Sequence, residues 1–401
     1  MVLLPGVRLA KQRGTAQVKR ITQSQIARDL NLSQSAVSLV LRDRSTTRVS
    51  EETRRRIFDH LAQFAPEAMP WRPSRNICLL LSPRYQDLSQ RHSPFLIRIL
   101  TGAEEACRCY KMNLVFKQWD EQTFSEALLG RDHYAGFFNV GYLEDSRIRQ
   151  LRRHGPVVIV NWQLDSPLCD VVALDDAGGV KQAVQYLYGL GHRRIAYLGV
   201  APAPEAIHNE VHALKRVAGY YQGLHWVGLP YLPQYVAGVR RVAGGNEYAG
   251  YEQVVASFAR LPQPPTAIVV CNDKMAIEFM AVAKDAGVRI PEDLSVVGFD
   301  NEAAAQECSP PLTTIHHERE EMGRRAVELI VNRNNNGALP SKPVEILCGA
   351  ELVERDSVRA ISTSERPAGA WRRAAAKAEA SAGVRRAAGV RRAGEREPVF
   401  G

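Results

Sequence analysis

The sequence predicts an α/β protein: a small all-α helix-turn-helix head followed by a two-lobed, doubly wound parallel α/β body. Three observations predict it. From Ile77 to about Ala360, apolar runs of strand length alternate with amphipathic stretches of helix length. That body is roughly 280 residues long, more than one domain usually needs, so two βα lobes are expected. Ahead of it, the stretch from Thr22 to Phe64 reads as three short helices with their own caps and their own apolar face.

In the head, Thr22 or Ser24 caps a first helix in which Ile26 and Leu30 lie one turn apart on one face. Asn31-Leu32-Ser33 makes the turn, because Asn tolerates a left-handed backbone better than any residue except Gly. Ser33 then caps a second helix. Its Val37, Val40 and Leu41 face the first, and Gln34, Ser35 and Ser38 form the opposite, polar face. A third helix starts at Ser50, with Glu51 and Glu52 in its first turn, Ile57, Leu61 and Phe64 inward and Arg54, Arg55 and Arg56 outward. Two short helices joined by a three-residue turn, the second with a short polar N-terminal face, can enter a DNA major groove. Arg42, Arg44 and Arg48 are placed to meet phosphates.

The charge distribution supports that reading. The chain has 401 residues, 45% hydrophobic and 24% charged, with a net charge of +9. Residues 1–74 hold 13 Lys and Arg against 6 Asp and Glu, residues 361–401 hold 9 against 4, and residues 75–360 hold 30 against 33. A near-neutral body is thus flanked by two basic ends. The Ala/Arg-rich C-terminal end has few apolar anchors, and a disordered solvated tail is expected there. Seven scattered cysteines without a C-x-x-C pair argue against a disulfide framework and a cysteine zinc site. No apolar run is long enough to span a membrane, and the start of the chain lacks a signal-peptide core, so a reducing cytoplasm is expected.

The expected strands of the body are Ile77–Leu81, Leu114–Phe116, Gly136–Val140, Val157–Val160, Val171–Leu174, Ile195–Leu198, Ala267–Val270 and Ser295–Gly298. Continuous apolar runs indicate parallel strands buried on both faces. They end in Ser82, Asn139, Asn161-Trp162, Asp175-Asp176, Asn272-Asp273 and Asp300-Asn301. Ligands of open α/β sheets bind at the carboxyl ends of strands, so this set points to a cleft for a small polar molecule. For any one of these residues, turn-starting or helix-capping is the better explanation, and it is the set that favours the cleft.

The run Ile26-Ala27-Arg28-Asp29-Leu30-Asn31-Leu32-Ser33-Gln34-Ser35-Ala36-Val37-Ser38, followed by Val49-Ser50-Glu51-Glu52-Thr53-Arg54, resembles the DNA-binding head of lac-repressor-type (LacI/GalR) regulators. The resemblance resumes at Leu190-Gly191-His192-Arg193-Arg194-Ile195, Pro291–Asp300 and Pro311-Leu312-Thr313-Thr314-Ile315 and covers about residues 18–358. It implies a periplasmic-sugar-binding-protein-like effector domain, a homodimer, operator DNA as partner and no cofactor or metal.

By the same resemblance Gln34 and Ser35 read bases and Ser38 touches phosphate. Thr22, Gln23, Ser33, Leu39, Arg42 and Arg48 complete the expected DNA-facing set. Leu39 stands where the family commonly has Arg, which removes one contact. Arg216 matches the arginine that grips ligand, and Asp273 the acid that accepts from sugar hydroxyls. Phe95 and Trp162 are candidate ring platforms, and Ser82, Asn161, Asp175 and Asp300 complete the effector set. His316-His317-Glu318 replaces a common Gln-Pro continuation, and no role is assigned to it.

The resulting division is a basic, disordered extension at 1–17, the head at 18–64, a Pro-rich linker at 65–75, the body at 76–358 and a disordered tail at 359–401. Lobe 1 is expected at about 76–173 plus about 302–335, and lobe 2 at about 174–301 plus about 336–358. The linker holds Pro66, Pro70 and Pro73, which forbid a regular helix interior. Either the minor-groove wedge of the family is absent, or Met69 or Trp71 replaces it.

His208 and His212 have a helical i,i+4 spacing that can clamp zinc, but the glutamate that a metalloprotease places beside the first His is one residue too late. No phosphate-binding glycine loop or nucleophile elbow occurs, and the chain is not expected to be an enzyme. Three functions compete: a ligand-responsive transcription regulator, in the cytoplasm and on the nucleoid when DNA-bound; a cytoplasmic sugar-binding protein; and a constitutive DNA-binding dimer. Only the first uses both head and cleft.

Overall fold

The structure, a computed structural model, describes residues 22–42, 49–50, 52–54, 56–57, 60, 75–81, 94–119, 124, 134–162, 168–201, 211–242, 248–335, 342–362, 371 and 373–374. The 1–17 extension, the linker prolines, Arg48, Ser82 and His208 lie outside the described residues, as does the side chain of Arg42.

The head forms as its caps dictate. Helix α1 spans Gln23–Asp29 and starts in a capping box, in which Thr22 Oγ1 accepts from the Gln25 N–H and Gln25 Oε1 accepts from the Thr22 N–H. Asn31 makes the turn with φ 53°. Helix α2, Gln34–Arg42, begins with the Ala36 N–H donating to Ser33 Oγ at 3.1 Å. Ile26, Ala27, Val37, Val40 and Ile57 form a buried core beneath these helices. The third helix is tied to the first by His60 Nε2 against Asp29 Oδ2 at 3.0 Å and by Arg56, whose Nη2 donates to the Leu30 carbonyl at 2.8 Å. Arg56 therefore also closes the end of α1 rather than only facing outward, and Arg54 is half-buried.

The chain divides into two compact units, 1–172 with 323–345, and 173–322 with 346–401. In the first, strands β1 (Asn76–Leu81), β2 (Asn113–Gln118), β3 (Gly136–Val140), β4 (Val157–Val160) and β5 (Asp170–Leu174) join a six-stranded sheet, with β12 (Glu345–Cys348) at its edge, in the order β12-β5-β4-β3-β1-β2. Pairing is parallel from β2 through β5, and β3, β4 and β5 are buried along their whole length, as strands covered on both faces are. Helices α3 (Pro94–Cys109) and α4 (Asp145–Arg152) provide crossovers.

In the second unit, β6 (Ile195–Val200), β7 (Val236–Arg241), β8 (Tyr248–Ala249), β9 (Ala267–Val270) and β10 (Ser295–Val297) form a sheet ordered β10-β9-β6-β7-β8. The connections carry α5 (Asp176–Gly189), α6 (Val211–Trp226), α7 (Tyr251–Ala259) and α8 (Asp273–Asp285). A short α9 (Ala303–Glu307) precedes β11 (Thr314–His317), which pairs antiparallel with β13 (Ala350–Val353). Strand order reverses between β6 and β9, the switch point at which doubly wound sheets open a site at their carboxyl ends.

Two expected boundaries move. Residues 302–322 belong to the second unit, because Leu312 and Ile315 are buried in its core and the Thr313 N–H donates to Ser357 Oγ. The chain returns to the first unit at Gly323 in helix α10 (Arg319–Asn335), where a Cβ would stand 1.9 Å from the Ile99 carbonyl, so only glycine allows this approach to α3. It stays there to 345, with Arg333 paired to Asp170 and the Val344 N–H donating to Asp170 Oδ1.

The disordered-tail expectation for 359–401 is also corrected at its start. The Ile361 N–H donates to the Leu190 carbonyl, and Trp371 is fully buried, edge-on to Phe258 with ring centroids 6.4 Å apart. One indole supplies the apolar anchor that the average composition of the tail conceals.

Candidate DNA-reading face and buried charge lattice

On the head, Gln34 and Ser35 are exposed at the start of α2, while Ser38 and Leu39 are half-buried one turn on. Ser35 Oγ lies 3.0 Å from Ser33 Oγ. Thr22 and Ser33 are exposed but already serve as caps, and Gln23 is half-buried. Short side chains at a helix N-terminus, above a core of β-branched residues, let the backbone approach a base edge closely.

In the second unit, the switch point holds a dense set of charges. Arg216, on α6, is 7% exposed. Its Nε donates to Asp176 Oδ1 at 2.8 Å, its Nη1 to the Cys271 carbonyl at 2.6 Å beyond the end of β9, and its Nη2 to Asp300 Oδ1 at 3.3 Å. The guanidinium lies over Phe299, 3.7 Å from the ring centre. Asp176 is also held by His212, whose Nδ1 is 2.8 Å from Oδ2. Burial alone would raise the Asp176 carboxyl, but the charges of Arg216 and His212 outweigh it and hold the pKa well below the usual carboxylate range.

Asp300 continues the lattice. Arg319, 2% exposed, reaches Asp300 Oδ1 at 3.3 Å and Glu302 Oε1 at 2.9 Å. The Asp300 backbone adopts φ 117°, a conformation rare for a side chain other than glycine, and the Asp300 N–H donating to Ile315 O fixes it there. Asp273 lies one layer deeper, fully buried. Its Oδ1 accepts from Thr314 Oγ1 at 2.6 Å and its Oδ2 from the Glu302 N–H at 2.8 Å. Gly298 makes this possible, since a Cβ there would stand 2.2 Å from Asp273 Oδ1. Burial and then the neighbouring Asp300 charge push the Asp273 carboxyl up to about 7.

His317 closes the cluster, its ring 4.6 Å from that of Phe299. Neither ring nitrogen has a hydrogen-bond partner among the described residues. Burial, followed by the Arg216 charge, lowers its pKa to about 4, so the imidazole is neutral near pH 7. Buried polar atoms without a partner are where a water or small ligand gains the most.

Of the expected effector residues, Arg216, Asp273 and Asp300 are thus brought together. Asp175 is not at their centre: its Oδ1 accepts from the Gly178 N–H and caps α5, and its neighbour Asp176 carries the pairing instead. Phe95, Asn161 and Trp162 belong to the first unit. Phe95 is half-buried in the first turn of α3. Asn161 takes φ 59° after β4, and Trp162 is 6% exposed, edge-on to Tyr142 at 5.6 Å. Sequence reasoning named Asp176 only as a strand end and left it out of the effector set, and it missed His212, Phe299, Glu302, Thr314, His317 and Arg319. The paired acid in Asp175-Asp176 and the acidic stretch after Phe299 were the available signals.

Residues 184–358 match the periplasmic binding protein-like domain family. The chain is 28% identical over 361 residues to the HTH-type transcriptional repressor CytR of Escherichia coli K12, covering 88% of this chain and 99% of that one. It is 27% identical over 331 residues to the repressor PurR of Aliivibrio salmonicida, covering 78% and 92%. Among solved structures, the CelR–cellobiose complex is similar with TM-score 0.57 and 24% identity, over 84% of this chain and 100% of that one. A LacI-family regulatory protein from Chloroflexus aggregans follows with TM-score 0.55 and 24% identity, over 70% and 98%. A capped helix-turn-helix, two doubly wound sheets and a match along nearly the whole length of these relatives make the chain similar to HTH-type transcriptional repressors, with a periplasmic binding protein-like body.

Proposed function

We propose that the chain is a cytoplasmic homodimeric repressor, on the nucleoid when DNA-bound, whose operator affinity is set by a small neutral polyol, a sugar being the expected class. The observation that carries this reading is the Arg216–Asp176–Asp300 lattice at the switch point of the second unit. Two guanidiniums, Arg216 and Arg319, face three carboxylates, Asp176, Asp300 and Glu302. The surplus is of acceptors, and ionised carboxylates accept only, so hydroxyl donors suit the site and an anionic ligand does not. Asp300, with a side chain 20% exposed, and His212, at 23%, form the accessible edge. In this reading Asp300 meets the ligand, Arg216 and Asp176 position it, and the free nitrogens of His317 add a donor and an acceptor.

On the DNA side, Gln34 and Ser35 read bases and Ser38 meets phosphate. Pairing two heads on one duplex raises the effective concentration of the second, which is why a dimer is proposed. The test is binding of duplex fragments from the upstream region of the chain's own gene, with and without a panel of mono- and disaccharides. Affinity for one fragment above random duplex, altered by a neutral saccharide, is the expected result. A mass measurement showing monomer alone on that fragment at micromolar concentration overturns the dimer. Equal affinity for every duplex overturns the regulator.

A further inference from the structure

We propose that the outward face of helices α5 and α6 in the second unit docks an acidic protein segment that carries apolar side chains, at a site separate from the charge lattice and from the DNA-reading face. Large apolar side chains stand in water there: Leu214 and Tyr221 on α6, Trp226 at its end and Tyr231 just beyond it. Trp226 is 68% exposed. Exposed apolar side chains gathered on one face, rather than scattered singly, mark an interaction surface. The rings are held by one another and by a cation. Tyr221 and Tyr231 meet edge-on with centroids 5.0 Å apart, and the Lys181 ammonium of α5 lies 4.1 Å from the centre of the Trp226 ring. Close helix packing brings that lysine into place. A Cβ at Gly219 would stand 2.3 Å from the Ala177 carbonyl oxygen and one at Gly223 2.7 Å from Val184 Cβ, so only glycines let α6 lie this near α5. Along α6, Leu214, Ala218 and Tyr221 form one row at i, i+4 and i+7, and Lys215, Gln222 and Trp226 form the next. Apolar and basic side chains thus run side by side.

The charge of the face selects its occupant. Residues 177–201 and 211–241 hold seven Lys and Arg and no Asp or Glu. The nearby Glu354 is engaged by the Tyr186 hydroxyl at 3.0 Å, on another side of α5 from Lys181. A second copy meeting this one through the same face would set Lys181 and Lys215 close to their own images, so self-pairing is disfavoured. A lipid surface would require the indole to insert, and Lys181 lies on its ring. Duplex DNA would use the lysines and leave the apolar row idle. An acidic segment with Phe, Trp or Leu uses both: carboxylates meet Lys181 and Lys215, and an apolar side chain seats over the small Ala218 between Leu214 and Tyr221. Tryptophan and tyrosine are also the side chains that most often carry the energy of protein–protein contacts.

The experiment selects short random peptides displayed on phage against the full chain and discards those that also bind the variant W226A/Y231A. The surviving sequences should be net acidic and carry Phe, Trp or Leu. As synthetic peptides they should bind W226A/Y231A and the charge-reversed K181E/K215E at least about tenfold more weakly than the parent, and lose affinity as salt is raised. Both variants alter side chains at the surface, so both should melt like the parent and keep its preference among duplexes. Neutral or basic sequences overturn the proposal, as does the absence of any peptide that depends on Trp226. Affinity for anionic vesicles or for random duplex that falls in W226A/Y231A as far as peptide affinity does also overturns it. So does a solution mass that drops from dimer to monomer in that variant, which would make the face a contact between copies.

Discussion

Replacing Arg216 by alanine should destabilise the second unit before it alters any ligand response. The substitution removes three donated hydrogen bonds and the contact with Phe299. It leaves Asp176, 1% exposed, facing only His212, and leaves Asp300 to Arg319. Breaking a buried ion pair from one side costs about 3–5 kcal/mol, a large share of the roughly 5–15 kcal/mol that holds a domain folded. For a unit of this size the melting temperature should fall by about 10 °C. The stranded Asp176 carboxyl would then hold its proton at higher pH, so the penalty should shrink as the medium is acidified. Arg216→Met with Asp176→Asn should be less destabilised than the sum of its singles, by about 1.5–3 kcal/mol, because the buried charge has gone as well. Thermal and urea unfolding of the parent, of Arg216→Ala and of the three variants of the cycle reads all of this. A loss below about 1 kcal/mol for Arg216→Ala, or strict additivity in the cycle, would refute the claim that the lattice is a mutually dependent ion network.

Gln34→Ala should cost roughly 1–3 kcal/mol of discrimination between operator and random duplex and leave affinity for random duplex nearly unchanged, as anisotropy titration of both duplexes will show. Asp273 and His317 should shape the pH profile of stability in opposite senses. Asp273 keeps its proton to about pH 7 when folded but loses it near 3.8 when unfolded, so its burial weakens the fold as pH rises between those values. His317 gains its proton near 6.5 when unfolded and only near 4 when folded, so its burial strengthens the fold as pH rises across that window. The two offset each other from about 4 to 6.5 and Asp273 acts alone above, so Asp273→Asn should lose the decline towards pH 7 and uncover a rise below 6.5 in urea melts at stepped pH. Trp371→Ala should cost about 3–5 kcal/mol of second-unit stability by emptying a core position, measurable by differential scanning calorimetry.

Much of the fold was legible because its signals are local. Strands β4 and β9 are apolar throughout, β3 is so but for Asn139, and all three are buried throughout, so the runs Gly136–Val140, Val157–Val160 and Ala267–Val270 mark them to the residue. Ser33 and Asn31 are cap and turn residues whose chemistry dictates their place in any context. Strand β7, reading Val-Ala-Gly-Val-Arg-Arg, was not legible, because beyond it lies only the two-residue β8 and its sequence lacks a continuous apolar run. Nor was the ladder of β11 with β13, which joins segments far apart in the chain, the first mostly buried and the second half-buried or exposed.

The site was legible by type and less so by role. Arginine and acids at strand ends were expected, and Arg216, Asp273 and Asp300 do converge. Their hydrogen-bonding capacity, however, is largely spent on one another and on Asp176, Thr314 and the Glu302 backbone. A sequence names donors and acceptors but not which of them satisfy each other. That depends on close approaches such as Gly298 against Asp273, visible only when the chain is folded.

The account rests on one chain coupling a ligand lattice to a DNA-reading head, and coupling is reciprocal. The direct measurement is calorimetric titration of the saccharide that alters operator binding, performed on the free protein and on its operator complex. The account predicts that operator changes saccharide affinity by the same factor by which saccharide changes operator affinity, and that Asp300→Asn abolishes the saccharide heat while leaving operator binding intact. Identical saccharide affinity with and without operator would contradict it.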